Sequence, residues 1–147
     1  MGLKKFHDQL RKVNEEVILS RLLVIIKDHE QEITNANTDQ LYDGKDSLGK
    51  SLPDYSARSV NVFGKRAGSF RLFETGSFYN GFFVDASKLP ITIFSNDSKT
   101  GKIADLLQSK GHNPDDIYGL DTANSADIKK NYIAPDLRES IRKLLFL

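Results

Sequence analysis

"RLFETGSFYNGFFVDA", residues 71–86, gathers five aromatic side chains, Phe73, Phe78, Tyr79, Phe82 and Phe83, around two glycines, Gly76 and Gly81. Thr75 followed by Gly76 predicts a turn: the threonine hydroxyl caps the chain reversal, and glycine takes a φ angle that a Cβ opposes. Beyond that turn the residues alternate like a strand buried on both sides, with Phe78, Phe82 and Val84 on one face and Tyr79 and Phe83 on the other. Downstream, in "LPITIFS" (89–95), Ile91 and Ile93 alternate with Thr92 and Phe94, which predicts a second strand. Residues 85–90 then join the two as an antiparallel pair. Two apolar faces need two covers. One is a long helix; the other is a neighbouring subunit or a further layer of the chain's own helices.

That long helix is read at the N-terminus, where Leu3, Phe6, Leu10, Val13 and Val17 follow one another at helical spacing. The apolar positions broaden in "VILSRLLVII" (17–26), and one amphipathic helix is predicted over residues 1–35, running through the core or against a neighbouring subunit. The stretch 34–59, "TNANTDQLYDGKDSLGKSLPDYSARS", is rich in Asn, Asp, Ser and Gly, residues that favour turns and short extended pieces. After the strand pair, "SNDS" (95–98) is a capping sequence for a short helix carried by Ile103, Ala104, Leu106 and Leu107 and stopped by Gly111. Ser125 is the predicted cap of a helix through Tyr132. Pro135 suits the first turn of a last helix, whose apolar face is Leu137, Ile141, Leu144 and Leu145. The fold class expected is α+β, with a long N-terminal amphipathic helix, a small mainly antiparallel β-sheet and short C-terminal helices. The expected organisation is a single domain, 1–147, with the helix in 1–35 and an α+β body in 36–147.

A chain of 147 residues buries enough surface to hold a core without staples. Its 21 basic and 20 acidic side chains leave a net charge of +1, so any contact with nucleic acid or an anionic membrane must be local. The absence of cysteine excludes disulfides, thiolate metal sites and a cysteine nucleophile. "MGLKKFHDQL" becomes charged too early for a secretory signal, and no window approaches the roughly 18 apolar residues of a membrane span. The expectation is a soluble cytosolic protein with no membrane partner.

The candidates for chemistry are weak. His7, His29 and His112 are far apart and form no H-x-x-x-H or H-E-x-x-H pair, so solvated or capping roles are expected of them. Asp43, Asp46 and Gly49 in "DGKDSLG" resemble part of a calcium loop but lack its alternating carboxylates and terminal Glu, and a turn is expected. "GKRAG" (64–68) and "KTGK" (99–102) lack the full phosphate-loop spacing. Asp115 and Asp116 have no evident third partner, and no G-x-S-x-G elbow is present. The sequence therefore predicts a non-enzymatic protein with no catalytic residue, no cofactor and no metal.

One charge cluster stands apart. Between Asp54 and Glu74 the charged residues are Arg58, Lys65, Arg66 and Arg71, all positive and interleaved with Tyr55, Phe63, Phe70 and Phe73. They are the candidate partner interface. Segment 55–73 can grip a nucleic-acid backbone while its rings stack on bases; the other reading sets the same cations against an acidic surface of a partner protein.

The order of these parts over residues 40–147 resembles tailed-phage virion morphogenesis proteins, the small tail-completion and head–tail joining proteins also carried by prophages. Those proteins commonly have an L-x-x-T-G-x-L-x-x-S-like block, an H-Q-x-G-like step and an F-L-G-L-like step before a last helix. Here Thr75 and Gly76 match the T-G, Phe78 the apolar residue after it, and Gly81 the small residue that follows. Gln108-Ser109-Lys110-Gly111 matches the second step without its histidine, and Ile117-Tyr118-Gly119-Leu120 the third with Tyr118 in place of leucine. The resemblance implies a structural virion protein, a ring subunit at the head–tail neck or tail terminus. It implies a homo-oligomeric ring, with tail-tube, connector or portal-proximal proteins as partners and DNA contact in a lumen. The implied location is the neck or tail of the virion, and the host cytoplasm during assembly.

Overall fold

A computed structural model of the chain describes residues 2–146. The N-terminal apolar stripe is carried by three helices, not by the single long helix predicted over 1–35: α1 (Leu3–Lys12), α2 (Glu15–Asp28) and α3 (Glu30–Tyr42). The first break comes from Asn14, whose side chain accepts the Val17 N–H at 2.9 Å and so starts a new helix. Glu15 and Glu16 then sit in the first turn of α2, where carboxylates favour the positive end of the helix dipole. The second break is a bend. His29 leaves helical geometry (φ −99°, ψ 21°), yet its N–H still reaches the carbonyls of Ile25 and Ile26.

The extension of α3 to Tyr42 overturns the turn reading of residues 34–42. Thr34 and Thr38 turn their hydroxyls back onto the carbonyls of Gln31 and Asn35, which satisfies them inside the helix. Asn37 and Gln40 face inward with Ile33 and Leu41. Asn37 is fully buried; its amide donates to the Ile117 carbonyl at 3.0 Å and its oxygen accepts the Gly119 N–H at 2.8 Å. Gln40 donates to the Gly119 carbonyl at 3.1 Å and accepts the Asp121 N–H at 2.8 Å. The same Gln40 oxygen accepts the Asn124 amide at 3.2 Å. Polar residues that suggest turns by composition are here a clasp on a distant loop.

The aromatic stretch is likewise divided. Gly76 takes φ 86°, the conformation predicted for the Thr-Gly turn, but it launches a short helix, α5 (Ser77–Asn80). Phe78 and Tyr79 are therefore helical, not strand residues, and β1 spans only Phe82–Asp85. The antiparallel pairing with β2 (Thr92–Ser95) is present, with Val84 opposite Ile93 and Phe83 opposite Phe94. Phe82, Val84 and Ile93 are buried on one face, whereas Phe94 on the other is 45 % exposed. The sheet is covered on one side, not two. Below it Phe78 and Phe82 meet edge-to-face at 5.2 Å, and both rings approach Tyr118.

Between α3 and the sheet, α4 (Ala57–Asn61) is a single turn capped by Ser56. The helix expected after the strands is α6 (Thr100–Ser109), with Leu107 buried, Asp97 taking the Lys99 N–H ahead of it and Gly111 at φ 74° behind it. A 3-10 turn (Pro114–Ile117) buries Ile117 and leads into the clasped loop. Helix α7 (Thr122–Ile128) is capped by Asp121, whose carboxylate accepts the Asn124 N–H at 2.8 Å, and not by Ser125. It does not end at Tyr132. A π-helical turn (Lys129–Ile133) carries it directly into α8 (Ala134–Phe146), making one bent rod of the two helices predicted. Pro135 supplies the reason: it has no N–H to give the carbonyl four residues back, and a wider turn accommodates its ring.

The first and last helices lie together. No residue of α1 is buried; α1 rests on α8, where Phe6 stacks on Phe146 at 6.5 Å between ring centres. The His29 Nε2 lies 2.6 Å from the Asp136 carboxylate, tying the α2–α3 bend to α8. That hydrogen bond, with the charges of Asp136 and Glu32, outweighs partial burial and raises the His29 pKa above its ordinary value.

Replacing Asn37 by Leu removes both clasp bonds and leaves the Ile117 carbonyl and Gly119 N–H without partners. A loss of roughly 3 kcal/mol in urea-unfolding stability is expected. A loss well under about 1 kcal/mol would mean that the 117–121 loop holds itself in place.

Candidate functional site

The four basic residues predicted as a partner interface do not form one surface. Arg58 and Arg66 are exposed, the former with its guanidinium 5.8 Å from the centre of the Phe63 ring. Arg71 turns inward instead, its guanidinium 4.2 Å over the Tyr42 ring while its carbonyl accepts the Tyr79 hydroxyl. Burial, first of all, raises the pKa of that Tyr79 hydroxyl far above the usual phenol range. Lys65 lies 4.0 Å from Glu74, the acid just past the window in which only positive charges occur. Arg58 and Arg66 are thus the two left to face a partner. Thr75 and Gly76 form the turn into α5, where the Thr75 hydroxyl oxygen accepts the Ser77 N–H at 3.4 Å.

The suggestion of a calcium loop around Asp43, Asp46 and Gly49 resolves as a turn. Asp46 is fully buried; its Oδ1 accepts the N–H groups of Leu48 at 2.9 Å and Lys50 at 2.8 Å. The Oδ2 lies 3.2 Å from His112 Nε2, so a carboxylate facing its own backbone is met by an imidazole from after α6. Sequence reasoning missed this pair because 66 positions separate its members (112 − 46). Among the described residues no group of three or more His, Asp or Glu side chains converges as a metal site. His29 and His112 each face an aspartate.

A different surface is built around the strand pair. The outer edge of β1 is closed: Val84 donates its N–H to Glu30 at 2.8 Å and its carbonyl accepts Lys27 at 3.0 Å. Burial opposes the Glu30 charge, but the Lys27 and Val84 hydrogen bonds outweigh it and hold the carboxyl below the usual range. Because Val84 spends both backbone groups outward, its partner Ile93 belongs to a non-hydrogen-bonded pair and also directs its N–H and carbonyl away from the sheet. No further strand meets β2 among the described residues.

That free edge borders a groove of about 790 Å³. Ile26 and Ile33 line it from the N-terminal helices, Ile93 from β2, Tyr118 and Leu120 from the clasped loop, and Ile128 from α7. Burial raises the Tyr118 pKa. At the lip Leu89 and Phe94 are 46 % and 45 % exposed, and Asp115 and Lys129 are the charged residues of the lining. The arrangement offers a strand edge inside an apolar trough, which suits a partner's extended segment or side-chain cluster better than a polar small molecule. The alternation in "LPITIFS" points to the strand, but nothing in it reveals that its far edge stays unpaired.

No protein-family model matches the chain, and no curated protein or solved structure matches it.

Three variants separate the structural from the exposed members of the predicted set. Gly76→Ala should lower stability by roughly 1 kcal/mol or more, because its φ is positive and the new Cβ meets the Phe73 ring at 3.3 Å. Arg71→Ala should cost about 1 kcal/mol through its lost ring contact and stem packing. In contrast, Arg58→Gln with Arg66→Gln should change thermal stability by less than about 0.5 kcal/mol. Equal melting temperatures for all three would contradict the division.

Proposed function

We propose that this protein is a non-enzymatic structural subunit of a tailed-phage or prophage virion, placed as a ring subunit at the head–tail neck or the tail terminus. The observation that carries the reading is the apolar groove beside the free edge of β2. Protein interiors are normally filled to crystal-like density, so a trough of this size lined by isoleucines is a surface in want of a neighbour. A strand edge left open beside it is an invitation to pairing that a monomer ordinarily blocks, as Lys27 and Glu30 block β1. Closed cyclic symmetry satisfies every such surface without leaving an end. The order of motifs described above supplies the setting, since it resembles proteins that complete tails and join them to heads.

In this reading affinity comes from apolar burial in the groove, and the exposed Arg58 and Arg66 set register against an acidic neighbour. The partners are further copies of the chain and adjoining tail-tube, connector or portal-proximal proteins.

The experiment is to quantify this chain in purified particles by mass spectrometry and locate it by cryo-electron microscopy, for the parent and for a Leu89→Glu, Phe94→Lys double variant. Both altered residues are about half exposed, so the fold should survive. The parent is expected at a fixed copy number at the neck or tail terminus, with the variant reduced at least about tenfold, as the loss of two apolar contacts implies. A parent chain absent from particles, or a variant incorporated equally, would overturn the proposal.

A further inference from the structure

A second cleft, about 340 Å³ in volume, lies on the α4 and α6 side of the aromatic stretch. Three lysines reach it from separate segments: Lys65 from the basic loop, Lys99 from the turn before α6 and Lys110 from the end of α6. Sequence distance hides this grouping, since only Lys65 belongs to the basic cluster visible in the chain. Four hydroxyls, those of Ser56, Ser59, Thr75 and Ser77, share the lining, and Lys99 Nζ stands 3.5 Å from the Thr75 oxygen. One carboxylate is present among the described lining residues, Glu74, 4.0 Å from Lys65, which leaves the cleft with a net positive charge. Its remaining wall is aromatic and apolar. Tyr55 packs on Phe70 at 4.7 Å, and Phe73, braced edge-on by Tyr42 and Tyr79, keeps 46 % of its surface open.

We infer that this cleft is a nucleotide-binding site, with a phosphate held among Lys65, Lys99 and Lys110 and a base laid against Phe73. Ammonium groups act as compact point charges for phosphate, hydroxyls donate to its oxygens, and an open ring accepts any base by stacking. The volume stands at the small end for ligand sites, enough for one nucleotide unit and too narrow for a duplex. An acidic peptide would satisfy the lysines but leave the aromatic wall without a flat partner. The ligand is therefore a free nucleotide or one unit of a single strand, and the same chemistry serves both. This inference does not rest on the virion reading.

The test is fluorescence anisotropy of the full chain with a labelled oligothymidylate of about 12 nucleotides, across a salt series starting near 50 mM. Thymidine monophosphate, an equal-length duplex and polyglutamate serve as competitors. Lys65→Gln, Lys99→Gln and Lys110→Gln together should weaken binding at least about tenfold and flatten the log–log salt slope by about 2. Phe73→Leu should weaken it about fivefold or more without changing that slope. Arg58→Gln with Arg66→Gln should leave binding within about twofold, because those residues lie outside the cleft. Competition by the monophosphate assigns the site to free nucleotides; competition by unlabelled strand alone assigns it to strands, and either supports the inference. It is overturned if the parent does not bind at the lowest salt, if polyglutamate or duplex displaces the strand as well as strand does, or if the arginine pair costs as much as the lysine triple. Unchanged melting temperatures of the lysine variants exclude a folding defect. Absence from virions with intact strand binding would sink only the neck assignment.

Discussion

Four hydrogen bonds, one buried and three partly buried, made by Asn37 and Gln40 with the backbone of Ile117, Gly119 and Asp121, fix α3 against a loop some eighty residues away. A buried amide without partners destabilises by more than its bonds contribute when made, so the clasp is satisfied in one register only. Apolar contacts tolerate sliding; this set does not. It therefore specifies how the C-terminal half seats on the N-terminal helices, and the surrounding Ile33, Leu41 and Ile117 then supply the bulk of the burial.

Much of the molecule follows from that seating. With Gly119 pinned, Tyr118 turns toward Phe78, Phe82 and Phe94, and Leu120 and α7 are drawn to the far side of a trough whose near side is β2. The α2–α3 bend at His29 places Lys27 and Glu30 where they close the edge of β1. One edge of a two-stranded sheet is thus protected by charge while the other borders an unfilled apolar space. The asymmetry is what separates a mere short hairpin from an assembly surface in this account.

Elements whose signal is carried by neighbours in the chain were legible. The alternation of Ile91 with Ile93, the Thr75-Gly76 turn and the spacing of Ile103 with Leu107 led to the right strand, conformation and helix. Failures had two causes: a distant partner changed the meaning of a residue, or a local cap or wider turn altered an apolar pattern that reads as regular. Asn37 and Gln40 look like turn formers until Gly119 receives them, and Asn14 looks like part of a continuous stripe until its side chain caps Val17. Pro135 reads as a helix start, yet the helix before it absorbs the lost bond in a π turn. The basic cluster was visible as composition, but ring contacts of Arg71 and the carboxylate beside Lys65 divided it. Neither the groove nor the lysine cleft is legible in any short stretch, because each is assembled from segments that only the fold unites.

The central claim is that the free edge of β2 is completed by a neighbouring molecule. Amide hydrogen exchange at Ile93 and Ser95 reports on it most directly, since in this register their N–H groups point away from β1. The account predicts fast exchange at both amides in the isolated chain, slower exchange at Phe94 and Thr92, and protection of Ile93 and Ser95 by at least about tenfold in the assembled particle. Ile93 and Ser95 already protected in the isolated monomer, or unprotected after assembly, would contradict it.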